Sequence, residues 1–139
     1  SLPAVARRPL RDRVRVGRIL QGGRPVVANS ANGLTVALFP GCMTDRLYPE
    51  QGEAVVRALR GLGVNVVVPA GLNCCGLPAN NAGDDRHARW MAAQTIAALE
   101  RVRADWIVSG SASCVATISQ DYEHLFRNDP RWLDRARTM

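Results

Sequence analysis

The chain has 139 residues, of which 47% are hydrophobic and 5% aromatic, and its formal net charge is +6. This length fits one domain with its own core, built mainly from Val, Leu, Ile and Ala. No run of about 18 apolar residues is present, which excludes a membrane-spanning helix, and the N-terminus lacks the apolar centre of a signal peptide. We therefore expect a cytoplasmic protein, with peripheral attachment at the inner face of the membrane as the alternative.

The positive charge is concentrated at the N-terminus. Residues 1–24 hold seven arginines and one acidic residue, whereas the rest of the chain holds eleven of each and is neutral. Prolines and a Gly-Gly pair interrupt residues 1–33, so we interpret this segment as a basic arm or linker. A basic arm without aromatic residues, ahead of a neutral body, argues against nucleic-acid binding. Binding of the arm to nucleic acid or to a membrane surface is only a third alternative.

The rest of the chain alternates between short apolar strands and helices. Strands are predicted at residues 34–39, 64–68 and 105–108. Helices are predicted from Pro49 to Leu62, from Asp84 or Asp85 to about Val102, from the loop at 111–114 to Phe126, and from Pro130 onward. This β-α-β-α-β-α order predicts an α/β fold of three layers, with a parallel, Rossmann-like sheet flanked by helices. We expect three strands in the spatial order second, first, third.

Apolar spacing also predicts which face of each helix is buried. For the first helix the predicted stripe is Ala54, Val55, Ala58, Leu59 and Leu62. For the second helix it is Trp90, Ala93, Ile96, Ala97 and Ala98. For the third helix it is Val115, Ile118, Tyr122 and Phe126.

Four cysteines follow the three predicted strands. Cys42 follows the first strand across a Pro-Gly turn, the doublet Cys74-Cys75 follows the second, and Cys114 follows the third across a Ser/Gly loop. The carboxyl ends of parallel strands meet at one edge of a sheet, which is where open α/β folds bind ligands. Helices that begin at this edge favour thiolates and anionic groups. The sequence therefore predicts a metal or iron–sulfur site.

The softness of four thiolates suits either zinc or an iron–sulfur centre and does not separate the two. The CxxC pairs of ordinary structural zinc sites are missing. Two adjacent cysteines can hardly bind one tetrahedral ion without strain, but they can bind different irons of a cluster. The doublet therefore favours an iron–sulfur centre. Buried structural thiols, or a disulfide between Cys42 and one member of the doublet, are the alternatives.

Other polar residues are weaker candidates for this site. His87 and His124 lie on predicted helices among charges, so we expect them at the surface rather than as ligands. Asp45, Arg46 and Tyr48 follow the first cysteine, where they either line the mouth of the site or begin a solvated helix. The Ser/Gly loop before the last cysteine is most simply the connector that positions it.

The sequences around the cysteines resemble a known family. The segments 39–42 (FPGC), 73–79 (NCCGLPA) and 109–114 (SGSASC) are similar to the CCG cysteine-rich domain. That domain occurs in the iron–sulfur subunits of glycolate oxidase and of lactate-utilisation complexes, and in heterodisulfide reductase. The resemblance covers residues 34–139, and the segments 80–83 and 121–130 look most like the glycolate/lactate branch.

The resemblance implies an iron–sulfur electron-transfer module of a 2-hydroxy-acid oxidising complex. Cys42, Cys74, Cys75 and Cys114 would hold a cluster of the 4Fe–4S type, with zinc as the alternative because some domains of this family hold zinc. Electrons would pass from a flavin-containing subunit that oxidises glycolate or lactate toward a quinone or another acceptor. The chain would then be the electron-transfer subunit rather than the substrate-oxidising one. A zinc-holding structural domain or a thiol/disulfide redox domain is the alternative function.

The chain departs from the family pattern in two respects. The family often closes its motif with a CxxC pair, and Ser111 replaces the first cysteine of that pair, which favours four-thiolate ligation over a five-cysteine arrangement. Family members also usually carry two such domains, with a ferredoxin-like segment ahead of them in the glycolate branch. We therefore expect residues 34–139 to be one domain of a larger protein. Its partners would be the flavin subunit and the ferredoxin-like segment or a sister CCG domain, with a homo-oligomer as a further possibility.

Overall fold

The computed structural model describes residues 3–22 and 33–139, and it has the α/β architecture that the sequence predicts. The strands are β1 (Ile19–Leu20), β2 (Thr35–Leu38), β3 (Asn65–Val67) and β4 (Trp106–Val108). The helices are α1 (Leu10–Arg13), α2 (Gly41–Arg46), α3 (Pro49–Gly61), α4 (Leu77–Asn81), α5 (Asp85–Glu100), α6 (Ala112–Ala116), α7 (Tyr122–Leu125) and α8 (Pro130–Arg137). A π-helical turn, Thr117–Asp121, joins α6 to α7.

The sheet has the strand order β1-β3-β2-β4. Strands β3, β2 and β4 are parallel, with Val36 opposite both Val66 and Trp106. The predicted order of second, first, third is therefore confirmed. The predicted number of three strands is wrong, because β1 adds a fourth, antiparallel strand in which Ile19 lies opposite Val67. A two-residue strand is too short to show any periodicity, so the sequence pattern did not predict it.

Two hydrophobic clusters on opposite faces of the sheet make the fold three-layered, as predicted. Alternate strand residues face opposite sides. On one face the core is formed by Val36, Leu38, Val64, Val66 and Val68 together with Val56 of α3. On the other face it is formed by Ala37, Phe39 and Val67, packed with residues of α5, the π-helical turn, α7 and α8.

The buried face of α3 differs from the predicted stripe. Gly52 and Val56 are buried and Val55 and Leu59 are partly buried, whereas Ala54, Ala58 and Leu62 are exposed. The arm accounts for the difference, because the fully buried Leu10 packs directly over Gly52, where any side chain would collide with it. A buried face predicted from apolar residues alone cannot include Gly52, which is buried because Leu10 packs closely against its backbone.

The later helices follow the prediction more closely, with two exceptions. Ile96, Ala98, Ile118, Tyr122 and Phe126 are buried as predicted. Trp90 and Val115, in contrast, are 53% and 46% exposed. In α5 the buried face contains small residues such as Ala88 and Ala92, and Trp90 lies about 200° round the helix from Ala88.

The N-terminal arm is attached to the body over residues 3–22. The amide of Ala6 donates to the carbonyl of Arg46 at 2.7 Å, and Leu10 is completely buried. The part of the arm at residues 23–32 lies outside the described residues, and the domain boundary at residue 33 stays a prediction. Within the described part of the chain, no helix combines the length and the apolar character needed to cross a bilayer.

Candidate cysteine site

All four cysteines lie around one cavity at the carboxyl edge of the parallel strands. Its volume is about 120 Å³. Besides the cysteines it is lined by Pro40, Gly41, Met43, Thr44, Leu77, Pro78, Ser111 and Ser113. These residues belong to the turns after β2, β3 and β4 and to the beginnings of α2, α4 and α6. The structure therefore brings together the four thiols that the sequence places at three strand ends.

The outer half of the cavity is formed by Cys42 and Cys74. Cys42 is exposed and Cys74 is half-buried. Their Sγ atoms are 3.7 Å apart. Partial burial, and next the contact with the Cys74 thiol, raise the pKa of Cys42 above its ordinary value. Without a bound cation, Cys42 is therefore held as a thiol.

The inner half is formed by Cys75 and Cys114, which are only 3% and 7% exposed. The interaction between these two thiols raises the pKa of Cys75, with burial as the second cause. The same interaction lowers the pKa of Cys114 to about 6, against the opposing effect of burial. The neighbouring hydroxyls of Ser111 and Ser113 lower the pKa of Cys114 further. In the metal-free inner pair these shifts favour the thiolate at Cys114 and the proton at Cys75.

Two glycines let the backbone approach the cysteines closely. Gly41 has φ +75°, and a Cβ at this position would lie 3.2 Å from the Sγ of Cys114. Gly76 has φ +94°, and its Cβ would lie 3.2 Å from the carbonyl oxygen of Ala88 in α5. Side chains other than glycine rarely adopt this φ. The glycines beside Cys42 and Cys75 are thus favoured by their backbone conformation, and a larger residue at either position would crowd its neighbour.

A buried tyrosine supports the cysteine doublet from within the core. The hydroxyl of Tyr122 donates to the carbonyl oxygen of Cys75 at 2.8 Å, and the side chain is fully buried. Burial raises the pKa of Tyr122, so it remains a neutral donor. The sequence predicts Tyr122 only as a core residue. The signal that points further is that a buried tyrosine hydroxyl usually requires a hydrogen-bond partner.

The weaker candidates do not line the cavity. His87 is exposed and its Nδ1 lies 2.6 Å from the Asp84 carboxylate, and His124 is also exposed, so both are at the surface as predicted. The interpretation of Asp45 as a residue at the site mouth is wrong. Its carboxylate is 1% exposed and faces the arm, where Arg11 Nη2 lies 2.7 Å away. Arg46 pairs with the same carboxylate, at 3.2 Å.

The cavity offers four thiols as donors, and thiolates suit both zinc and an iron–sulfur centre. Within residues 3–22 and 33–139, no three Cys, His, Asp or Glu side chains are already grouped closely enough to hold one metal ion. The Sγ atoms of Cys42 and Cys74, 3.7 Å apart, have the spacing of roughly 3.8 Å that a tetrahedral zinc with Zn–S bonds of about 2.3 Å requires. The ligand role of Cys42, Cys74, Cys75 and Cys114 itself stays a prediction.

Comparison with known proteins gives both a family and a set of relatives. Residues 36–119 match the family described as CCG: Cysteine-rich domain. The chain is 43% identical over 101 residues to Lactate utilization protein A of an Exiguobacterium species, which covers 73% of this chain and 41% of that protein. It is 36% identical over 103 residues to Lactate utilization protein A 2 of Bacillus cereus strain Q1, covering 74% and 42%.

The chain thus spans about two fifths of the length of the curated relatives it matches. No solved structure matches it. The family match runs from β2 to the π-helical turn and contains all four cysteines, so it coincides with the elements that form the cavity. The resemblance noted in the sequence is therefore confirmed, and the chain belongs to the CCG family of cysteine-rich domains.

Proposed function

We propose that this domain is the iron–sulfur electron-transfer module of a complex that oxidises a 2-hydroxy acid. The observation that carries the proposal is the convergence of four thiols, from three separate strand ends, on a single cavity. Thiolates are the ligands that iron–sulfur clusters use. Membership of the CCG family supports the same function.

The four cysteines would hold a cluster of the 4Fe–4S type from two sides. Cys75 and Cys114 would bind it from the buried side, and Cys42 and Cys74 from the side open to solvent. When bound, the cluster supplies a one-electron carrier whose potential depends on hydrogen bonds to the sulfurs and on solvent exposure. The Ser111 and Ser113 hydroxyls, which lie beside Cys114, are the protein groups that would adjust that potential.

The substrate and the partner proteins are also part of the proposal. The names of the relatives, Lactate utilization protein A, favour lactate over glycolate as the acid that the complex oxidises. Electrons would come from a flavin-containing subunit and leave toward a quinone or another acceptor. We place the complex in the cytoplasm, where cysteine thiols stay reduced, with peripheral attachment to the membrane as an option.

The open edge of the sheet supports a further protein contact. Among the described residues β4 pairs only with β2, and Trp106 on β4 is 67% exposed. Unpaired strand edges and exposed apolar residues favour association with another chain or domain. We propose that a sister CCG domain, a ferredoxin-like segment or a second copy of this chain covers this edge.

The test is the composition and spectroscopy of protein purified without oxygen. We expect iron and acid-labile sulfide in nearly equal amounts, a brown colour that bleaches with dithionite, and an EPR signal in one redox state. The quadruple variant with all four cysteines changed to Ser is the control and should be colourless. Wild-type protein that stays colourless after reconstitution with iron and sulfide would overturn the proposal.

The contact between Cys42 and Cys74 favours a second candidate, a thiol/disulfide redox domain or a zinc-holding domain. Sulfurs 3.7 Å apart can form a disulfide after a small movement. An external disulfide would accept the two electrons and two protons that the thiols lose. Stoichiometric zinc in the native protein, or a reversible Cys42–Cys74 disulfide in protein that never binds iron, would favour this candidate.

A further inference from the structure

Tyr122 is the largest fully buried side chain in the described structure, and its one polar atom is used on the cysteine doublet. Its hydroxyl donates to the carbonyl oxygen of Cys75 at 2.8 Å, across 47 residues of sequence. A buried carbonyl that loses its donor is costly, because water cannot replace the missing partner. The bond therefore resists any movement of the Cys75 backbone away from α7.

The π-helical turn explains how the same helical segment reaches Cys75 with two side chains. Tyr122 follows Cys114 by eight residues, which in an uninterrupted α-helix is about 800° and leaves the two side chains roughly 80° apart. A π turn accommodates one extra residue. The other seven then correspond to about 700°, within roughly 20° of two full turns. Cys114 and Tyr122 consequently face the same side: Cys114 lines the cavity together with Cys75, and the Tyr122 hydroxyl donates to the Cys75 carbonyl.

The other side of Cys75 is fixed by Gly76. Gly76 has φ +94°, and a Cβ there would lie 3.2 Å from the carbonyl oxygen of Ala88, which is a tight contact. The peptide group that joins Cys75 to Gly76 is thus held between α5 on one side and Tyr122 on the other. A thiol attached to backbone held in this way has little freedom to leave the cavity.

We propose that Tyr122 is a positioning residue for the site. Through its hydrogen bond to the Cys75 carbonyl it fixes the thiol of Cys75 beside that of Cys114. The π-helical turn makes this possible because it brings the side chains of Tyr122 and Cys114 to the same side of the helix. The position of Cys75 can be tested in metal-free protein. Only the consequence for a cluster rests on the proposed function.

The test compares Tyr122→Phe with two controls in reduced, metal-free protein. Phe keeps the ring in the core and removes the hydroxyl that donates to the Cys75 carbonyl. Tyr48→Phe changes a 38% exposed tyrosine, and Ile118→Val removes one methyl group from the core on the same helical segment but keeps the Tyr122 hydroxyl. Each cysteine is labelled with iodoacetamide, and its rate is measured by mass spectrometry. We expect the Cys75 rate to rise about tenfold in Tyr122→Phe, the effect of losing one buried hydrogen bond, and to be unchanged in both controls.

Rescue separates a positioning role from a merely structural one. A variant with p-aminophenylalanine at position 122 keeps an N–H donor at this point and should restore the wild-type labelling rate. This comparison still decides the question if Tyr122→Phe does not fold. An unchanged Cys75 rate in Tyr122→Phe, an equal rise in Ile118→Val, or a rate in the p-aminophenylalanine variant about tenfold above wild type would overturn the proposal.

Loaded protein gives an independent readout. If a cluster binds, Tyr122→Phe with full iron content should show altered EPR g-values, whereas Tyr48→Phe should match wild type. Unaltered g-values at full iron content would contradict the positioning role. If no variant binds iron, the proposed function fails while the labelling result on Cys75 still stands.

Discussion

The two halves of the cysteine cavity are held in place by different parts of the molecule. The inner pair, Cys75 and Cys114, is buried in the core and is fixed by Tyr122 and by the close approach of Gly76 to α5. The outer pair contains the exposed Cys42, which lies in the first turn of α2. That short helix is tied to the arm, because the carboxylate of its Asp45 is paired with Arg11.

This difference gives the arm a structural role. Residues 3–22 lie outside the CCG match at 36–119, yet they hold the helix that carries one of the four cysteines. The Asp45 carboxylate accepts hydrogen bonds from the backbone amide of Arg11 at 3.1 Å and from its Nε at 2.8 Å, in addition to the contact with Nη2. We therefore expect changes in the body to disturb the inner half of the cavity, and changes in the arm to disturb the outer half.

The largest expected effect comes from replacing the cysteines themselves. Cys75→Ser or Cys114→Ser should lower bound iron at least about tenfold, since a buried ligand position has no substitute. Cys42→Ser should lose only a few-fold, because solvent can reach the vacated position. His87→Ala and His124→Ala are the controls and should keep full iron, measured by elemental analysis. Equal loss in Cys42→Ser and Cys75→Ser would break the distinction between the halves.

Removing the arm's ion pair should have the next largest effect. Arg11→Ala leaves the buried Asp45 carboxylate with Arg46 as its remaining ionic partner. We expect the free energy of unfolding to fall by about 2–3 kcal/mol, below the usual cost of breaking a buried pair because Arg11 is partly exposed. Urea unfolding measures this loss, and labelling should rise at Cys42 but not at Cys75.

The matched control for this change is Arg137→Ala, which removes an exposed pair with Glu123. Exposed pairs contribute about 0–1 kcal/mol, so little loss is expected. A loss in Arg137→Ala as large as that in Arg11→Ala would show that the burial of Asp45 has no special importance. Faster labelling of Cys75 than of Cys42 in Arg11→Ala would show that the arm does not act on the outer half.

Comparison of two glycines measures the cost of steric crowding inside the cavity. Gly41 and Gly83 both have φ +75°, but a Cβ added at Gly83 would meet nothing within 4 Å, whereas one at Gly41 would lie 3.2 Å from the Sγ of Cys114. Gly83→Ala should cost about 1–2 kcal/mol, the strain of the left-handed conformation alone. Gly41→Ala should cost roughly 1 kcal/mol more by denaturant unfolding, because the methyl group displaces Cys114. Equal costs would mean that the cavity tolerates the added methyl group.

A different kind of effect is expected from pH, in the metal-free, reduced protein. The folded pKa of Cys114 is lowered from 9.0 to about 6, so its stabilising contribution is full above the unfolded value and is lost as pH falls through about 6. Cys75 has the opposite shift, so its contribution is present below its unfolded value and declines only above it. Between these limits the folded pair binds one proton and the unfolded pair binds two.

The free energy of unfolding should therefore rise from about pH 6 to about pH 9 and fall at higher pH. Urea titrations under reductant and without oxygen measure this profile. Cys114→Ser removes the shared proton and should abolish the rise. A flat profile in wild type over the same range would contradict the assignment of the thiolate to the inner pair.

Much of the fold could be predicted because the strands and the last three long helical segments carry strong local signals. The Val- and Leu-rich strands and the Asp84 cap of α5 give the element order and hence the sheet topology. The convergence of the cysteines then follows, since each lies just past the end of a parallel strand. These features depend on short stretches of sequence and on general rules of chain connection.

The features that could not be predicted depend on contacts between distant residues. Nothing local to Leu10 indicates that it packs over Gly52, or that Arg11 pairs with Asp45. The role of Tyr122 likewise depends on a π turn that has no recognised local signature here and on a carbonyl 47 residues away. A pattern of apolar residues predicts burial, but it does not identify which polar atom a buried hydroxyl contacts.

We propose that all four cysteines bind one iron–sulfur cluster in the cavity. Anomalous X-ray diffraction at the iron absorption edge, from crystals grown without oxygen, tests it most directly. We expect a single iron-rich peak in the cavity, with the Sγ atoms of Cys42, Cys74, Cys75 and Cys114 as its ligands. A single zinc ion in the cavity, or iron bound while Cys75 and Cys114 remain free thiols, would contradict it.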